Sequence, residues 1–182
     1  MMPDMTRHSI SLAVLALVAA AGQATGQTRD AILLTLQGAA DDTLYQRVTD
    51  AGVAVGERLG GDTWFASVPE GGLDRLQGVL GDVVRLEPVP ADVKTRGLPV
   101  DPDGSVDADG PVRLLVVPAQ GSADEAIGAA LDTMAGEVDL TVIDRNAQKG
   151  WVVEIAASDV GALAAEPFVA LLYTIAEPPL LD

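Results

Sequence analysis

Thr63-Trp64-Phe65-Ala66-Ser67-Val68 and Trp151-Val152-Val153-Glu154-Ile155 are the two stretches on which the fold turns. They contain the chain's 2 tryptophans, and each tryptophan opens an apolar run of strand length. Val68 and Ile155 follow their tryptophans at the same distance and therefore in the same strand phase.

Working outward, the flanks match as well. Before Trp64 stand an apolar strand-length run, Ile32-Leu33-Leu34-Thr35-Leu36, and Asp41 at an N-cap position. Leu44, Val48 and Ala51 then recur at helical spacing, and Gly52 stops the helix. A second strand is expected over Val53 to Arg58, closed by a Gly60-Gly61-Asp62 turn. After Val68, Leu73, Leu76 and Leu80 mark a short helix, and Val83 to Leu86 a last strand. Around Trp151 the order repeats, beginning with a strand over Val112 to Val117. A Ser122-Ala123-Asp124-Glu125 capping box then opens a helix with Ile127, Ala130, Leu131 and Met134 on its apolar stripe, ended by Gly136. A strand over Val138 to Ile143 leads to the Trp151 strand. Ser158 caps a helix carrying Val160 and Leu163, which Pro167 stops before a last strand over Val169 to Tyr173. Leu76 corresponds to Leu163, and Leu86 to Leu172. Matches in register at several positions mark a duplicated βαββαβ unit.

The fold class expected is α+β. Two tandem ferredoxin-like units each form a four-stranded antiparallel sheet with two helices on one face. The other face is left for a partner, or for the second sheet to cover. With Trp64, Ala66 and Val68 toward the helices, Phe65 and Ser67 point outward, as do Val152 and Glu154 in the second copy. Phe65 and Val152 are the candidate contact residues on these faces.

Residues 1–26 read as a secretory signal. Arg7 and His8 form the basic end, Ile10 to Ala21 the apolar core, and the small residues before Gly26 the cleavage region. The expected destination is outside the cell or in a periplasm. The first unit is placed at 30–93, an acidic Pro/Gly linker at 94–110, the second unit at 111–179 and a tail at 180–182. With 0 cysteines, a chain in an oxidising compartment relies on apolar burial alone. A net charge of −16 argues against nucleic acid, and no basic amphipathic stretch suggests a membrane surface after signal cleavage.

Catalysis finds little support. The single histidine, His8, leaves with the signal, so the mature chain has no Ser-His or Cys-His pair and no usual zinc ligands. It also lacks a nucleophile elbow, a P-loop and a dinucleotide fingerprint. Asp101 to Gly110 alternates aspartates with glycines, but Val106 and Val112 stand where an EF-hand needs glycine and glutamate, so a solvated acidic linker is expected. No catalytic residue, cofactor or metal is therefore assigned.

Gly81-Asp82-Val83-Val84-Arg85-Leu86-Glu87-Pro88 and Pro167-Phe168-Val169-Ala170-Leu171-Leu172-Tyr173 resemble the strand-final motif of propeptides of subtilisin-like serine proteases, the inhibitor I9-like domains. Trp64-Phe65-Ala66-Ser67-Val68-Pro69 and Leu73-Asp74-Arg75-Leu76 resemble the same family. The likeness runs from Ile32 to about Pro179, without a catalytic domain. It implies a non-catalytic inhibitor or folding chaperone whose sheet face packs on a subtilisin-like protease. The tail would then lie extended in the substrate cleft. The residues so implied are Glu177, Pro178, Pro179, Leu180 and Leu181, although two prolines weaken strand addition. A structural or adhesive envelope module, or a fragment of a protease precursor, is the alternative. Oligomeric state is not read from the sequence.

Overall fold

The computed structural model describes residues 26–38, 42–96, 98, 106, 110–146 and 150–175. The first unit contains β1 (Arg29–Leu36), α1 (Asp42–Asp50), β2 (Ala54–Gly60), β3 (Thr63–Pro69), α2 (Leu73–Leu80) and β4 (Val84–Pro88). A short helix, α3 (Ala91–Lys94), follows. The second unit contains β5 (Pro111–Pro118), α4 (Asp124–Met134), β6 (Leu140–Asn146), β7 (Gly150–Ala156), α5 (Val160–Ala165) and β8 (Val169–Thr174). The two sheets run β2-β3-β1-β4 and β6-β7-β5-β8, all antiparallel. Two tandem ferredoxin-like units result.

The duplication holds in register. Leu34 lies between Trp64 and Leu86, and Val116 lies between Trp151 and Leu172. Leu76 and Leu163 are both buried in the helix-facing cores. Each tryptophan is also roofed by an arginine from the adjacent strand. Arg58 stands 5.3 Å from the Trp64 ring and Arg145 stands 5.4 Å from the Trp151 ring. Such cation–π contacts at matching positions shield the rings from water.

Alternation explains which residues go inside. In β1, Ile32 and Leu34 face the helices, while Arg29, Ala31, Leu33 and Thr35 face away. In β5, Leu114 and Val116 face inward while Arg113, Leu115 and Val117 face away. Gly52 ends α1 at φ +95°, a conformation open to glycine at little cost.

Several local expectations differ from the structure. Ser122 does not cap α4: the N-cap is Ala123, without a side-chain bond. The Ser122 hydroxyl instead accepts from the Arg29 backbone N–H at 3.0 Å, a partner from the other unit. Ser158 lies in a 3-10 turn, Ala157–Asp159, and α5 begins after it with no side-chain cap. Asp41 lies outside the described residues. The linker is not simply solvated. Lys94, Thr95, Leu98 and Val106 are buried, and the last two join the second core. The aspartates Asp101, Asp103, Asp107 and Asp109 lie outside the described residues.

Candidate sheet-face site

The face of the first sheet that points away from its helices is partly taken up within the chain. Ser67 is wholly buried there, with its hydroxyl donating to the Gln120 carbonyl at 2.6 Å. Beside it Arg29, 8% exposed, sends Nε to the Ser67 hydroxyl (2.9 Å) and Nη2 to the carbonyls of Gly52 (2.6 Å) and Ser67 (3.0 Å). Burial pulls this guanidinium below its ordinary pKa. The Ala31 N–H donates to the Pro167 carbonyl at 2.7 Å, and the Ala123 N–H to the Gln27 carbonyl at 3.1 Å. Ala31, Val89 and Ala119 form a small third core, with Leu33, Phe65, Val93 and Ala170 packed on it. The second unit thus covers part of this face with its β5–α4 turn, the residues leading into β8 and the start of β8 itself, where Ala170 packs on the third core.

The matching face of the second sheet is half-buried, and no buried cluster among the described residues covers it. Cross-strand pairing brings Val152 opposite Leu115, Leu115 opposite Tyr173, and Val117 opposite Leu171. Residues directly opposite share a face. None of these five belongs to a buried cluster, and Tyr173 is 47% exposed. At one end of the patch Arg113 Nε meets Glu154 Oε2 at 3.0 Å. On the far side of Val152 stands exposed Asp144.

Comparison of the two copies makes this patch distinctive. In the first sheet, the positions that correspond to Val117, Leu171 and Tyr173 hold Thr35, Arg85 and Glu87. Arg85 and Glu87 form an exposed ion pair at 2.7 Å. One copy has polar groups on this part of its free face, whereas the other keeps apolar ones. A half-exposed apolar sheet face that no core covers invites association, a usual mark of an interaction surface.

No family model matches the chain, and neither the curated proteins nor the solved structures contain a match. The sheet face therefore has to be read from its own chemistry.

Of the expected contact residues, Val152 lies within the apolar patch. Phe65 lies on the equivalent face of the first unit, half-buried against the core between the units. Glu177, Pro178, Pro179, Leu180 and Leu181 lie outside the described residues. Leu115, Val117, Leu171 and Tyr173 were not anticipated. The signal for Leu115 and Val117 was the uninterrupted Leu114-Leu115-Val116-Val117 run, and for Leu171 and Tyr173 the equally unbroken run from Val169 to Tyr173, where a strand with one wet face would alternate.

A second polar feature sits between the units. Lys94 is 3% exposed, and its Nζ donates to the Glu166 carbonyl at 2.6 Å. Desolvation lowers its pKa from the ordinary 10.5, against the opposing pull of the Glu166 and Asp30 charges. Below that lowered value the lysine is charged in both the folded and unfolded chain, and the desolvation cost is felt in full. Between the lowered value and 10.5 the unfolded chain holds a proton the folded one has released, so stability rises with pH. We predict that the stability advantage of wild type over Lys94→Met grows as pH is raised from neutrality toward 10.5. Urea unfolding of both proteins across that range measures it, and a difference that stays flat or shrinks would contradict it.

Proposed function

We propose that the chain is an exported, non-catalytic protein-binding module that docks its partner on the apolar sheet face of the second unit. The observation that carries this reading is the cluster of Leu115, Val117, Val152, Leu171 and Tyr173, apolar and outside every buried cluster of the described residues where the first copy is polar or covered. The resemblance of the β4 and β8 segments to propeptide endings makes a subtilisin-like protease the proposed partner. Docking would bury this patch against the protease surface, and the segment after β8 would enter the cleft as an added strand. The chain then acts by occupying the enzyme.

The test is inhibition of a broad-specificity subtilisin by the mature chain. The comparators are a Leu115→Asp/Val152→Asp variant and a form lacking Pro178 to Asp182. Each Asp buries a charge in the docked state, so the inhibition constant should rise at least about a hundredfold in the double variant. Truncation should also weaken inhibition. If the folded wild-type chain leaves the protease unaffected, the protease assignment fails. If inhibition survives the double variant unchanged, the sheet face is not the docking surface.

A further inference from the structure

A crevice of about 270 Å³ opens where α3 and β1 of the first half meet α5 of the second. Its walls are mostly apolar, including Ala31, Val89, Leu73, Ala164 and Pro167. Two charged side chains break that apolar lining, Asp30 and Lys94. The Lys94 ammonium has three N–H donors and gives one to the Glu166 carbonyl. Among the described residues its other two make no hydrogen bond. Asp30 accepts from the Gly71 N–H through Oδ2, at 2.8 Å. Its Oδ1 accepts from none of the described residues.

A lysine and an aspartate, each with hydrogen-bonding capacity that the described residues leave unused, line one apolar crevice and set conditions on an occupant. A simple carboxylate would satisfy Lys94 but meet the negative charge of Asp30. A simple amine would satisfy Asp30 but meet the Lys94 charge, which Glu166 and Asp30 offset only in part, and would leave the lysine's remaining donors unused. A molecule with both charges and a hydrocarbon body satisfies all the walls. We infer that this crevice binds a small aliphatic zwitterion, of the chemistry of a free branched α-amino acid, with its carboxylate on Lys94 and its ammonium toward Asp30. The crevice, at about 270 Å³, has room for such a molecule. Because Asp30 and Lys94 come from the first half and Ala164 and Pro167 from the second, the ligand bridges the units and stabilises their joint. This inference does not depend on the protease reading.

The experiment is a titration of the full mature chain with L-leucine, followed by backbone amide shifts. The single-charge analogues isocaproate and isoamylamine are titrated in parallel. Saturable shifts are expected at the crevice residues, with each analogue binding at least about tenfold more weakly. Lys94→Met should weaken leucine binding by a similar factor. Ala165→Trp, at the exposed rim, should block entry with both charges intact. If Lys94→Met does not fold, Ala165→Trp decides. Absence of saturation in the folded wild type overturns the inference, as does leucine binding indifferent to Ala165→Trp. Isocaproate binding as tightly as leucine overturns the zwitterion assignment.

Discussion

Arg29→Ala is expected to destabilise the chain by about 3 kcal/mol or more, because its hydrogen bonds are charge-assisted and largely shielded from water. Nε and Nη2 together serve the Ser67 hydroxyl and the carbonyls of Gly52 and Ser67. Truncation to alanine leaves those acceptors facing a void that the guanidinium and its stem had filled. The effect also crosses the joint between units. The Ser67 hydroxyl relays the arginine's bond to the Gln120 carbonyl, and the Arg29 stem lies beside Gly121, where an added Cβ would stand 3.3 Å from its Cδ. Urea unfolding of the full chain gives the measurement. Arg29→Lys should recover only part of the loss, since one ammonium cannot reproduce the planar fork. A loss under about 1 kcal/mol for alanine would mean that water replaces the guanidinium, and the joint would not depend on it.

Gly150→Ala is the second large effect, expected at about 3 kcal/mol or more from backbone conformation and overlap together. Gly150 opens β7 at φ +125°, a conformation L side chains rarely adopt. A Cβ there would come 2.1 Å from the carbonyl oxygen of Val116, in the middle of β5. That oxygen belongs to the central part of the sheet, so relief would require β5 or β7 to shift, and with them the register of Val152 against Leu115. The variant should therefore lose thermal stability together with the proposed docking on this face, while Gly61→Ala should lose far less. Gly61 also has a positive φ, but an added Cβ would meet nothing within 4 Å. Comparable melting temperatures for the two variants would show that the overlap is relieved by local movement.

Much of this architecture was legible in the residues. Apolar periods, glycine stops and the paired tryptophans specified the order of elements, because strand alternation and helical spacing are local properties. The register of Trp64 with Leu34, and of Trp151 with Val116, follows from which face each apolar set must bury. The capping expectation at Ser122 did not hold for a reason sequence cannot express. A hydroxyl that can bond the next helical turn can equally bond a strand brought alongside from the other unit, and the fold selected the Arg29 N–H.

The sequence alone determined the duplicated βαββαβ order, the helix-facing cores, the acidic charge and the absence of cysteine, all of which follow from residue type and near-neighbour spacing. The tertiary structure decided which sheet face stays free. Arg29 and Ser67 became a buried polar joint, Lys94 moved from a supposed linker into a crevice, and the apolar face of the second unit was left outside the buried clusters of the described residues. Those outcomes depend on how two similar bodies pack, and packing depends on surfaces brought together from distant parts of the chain.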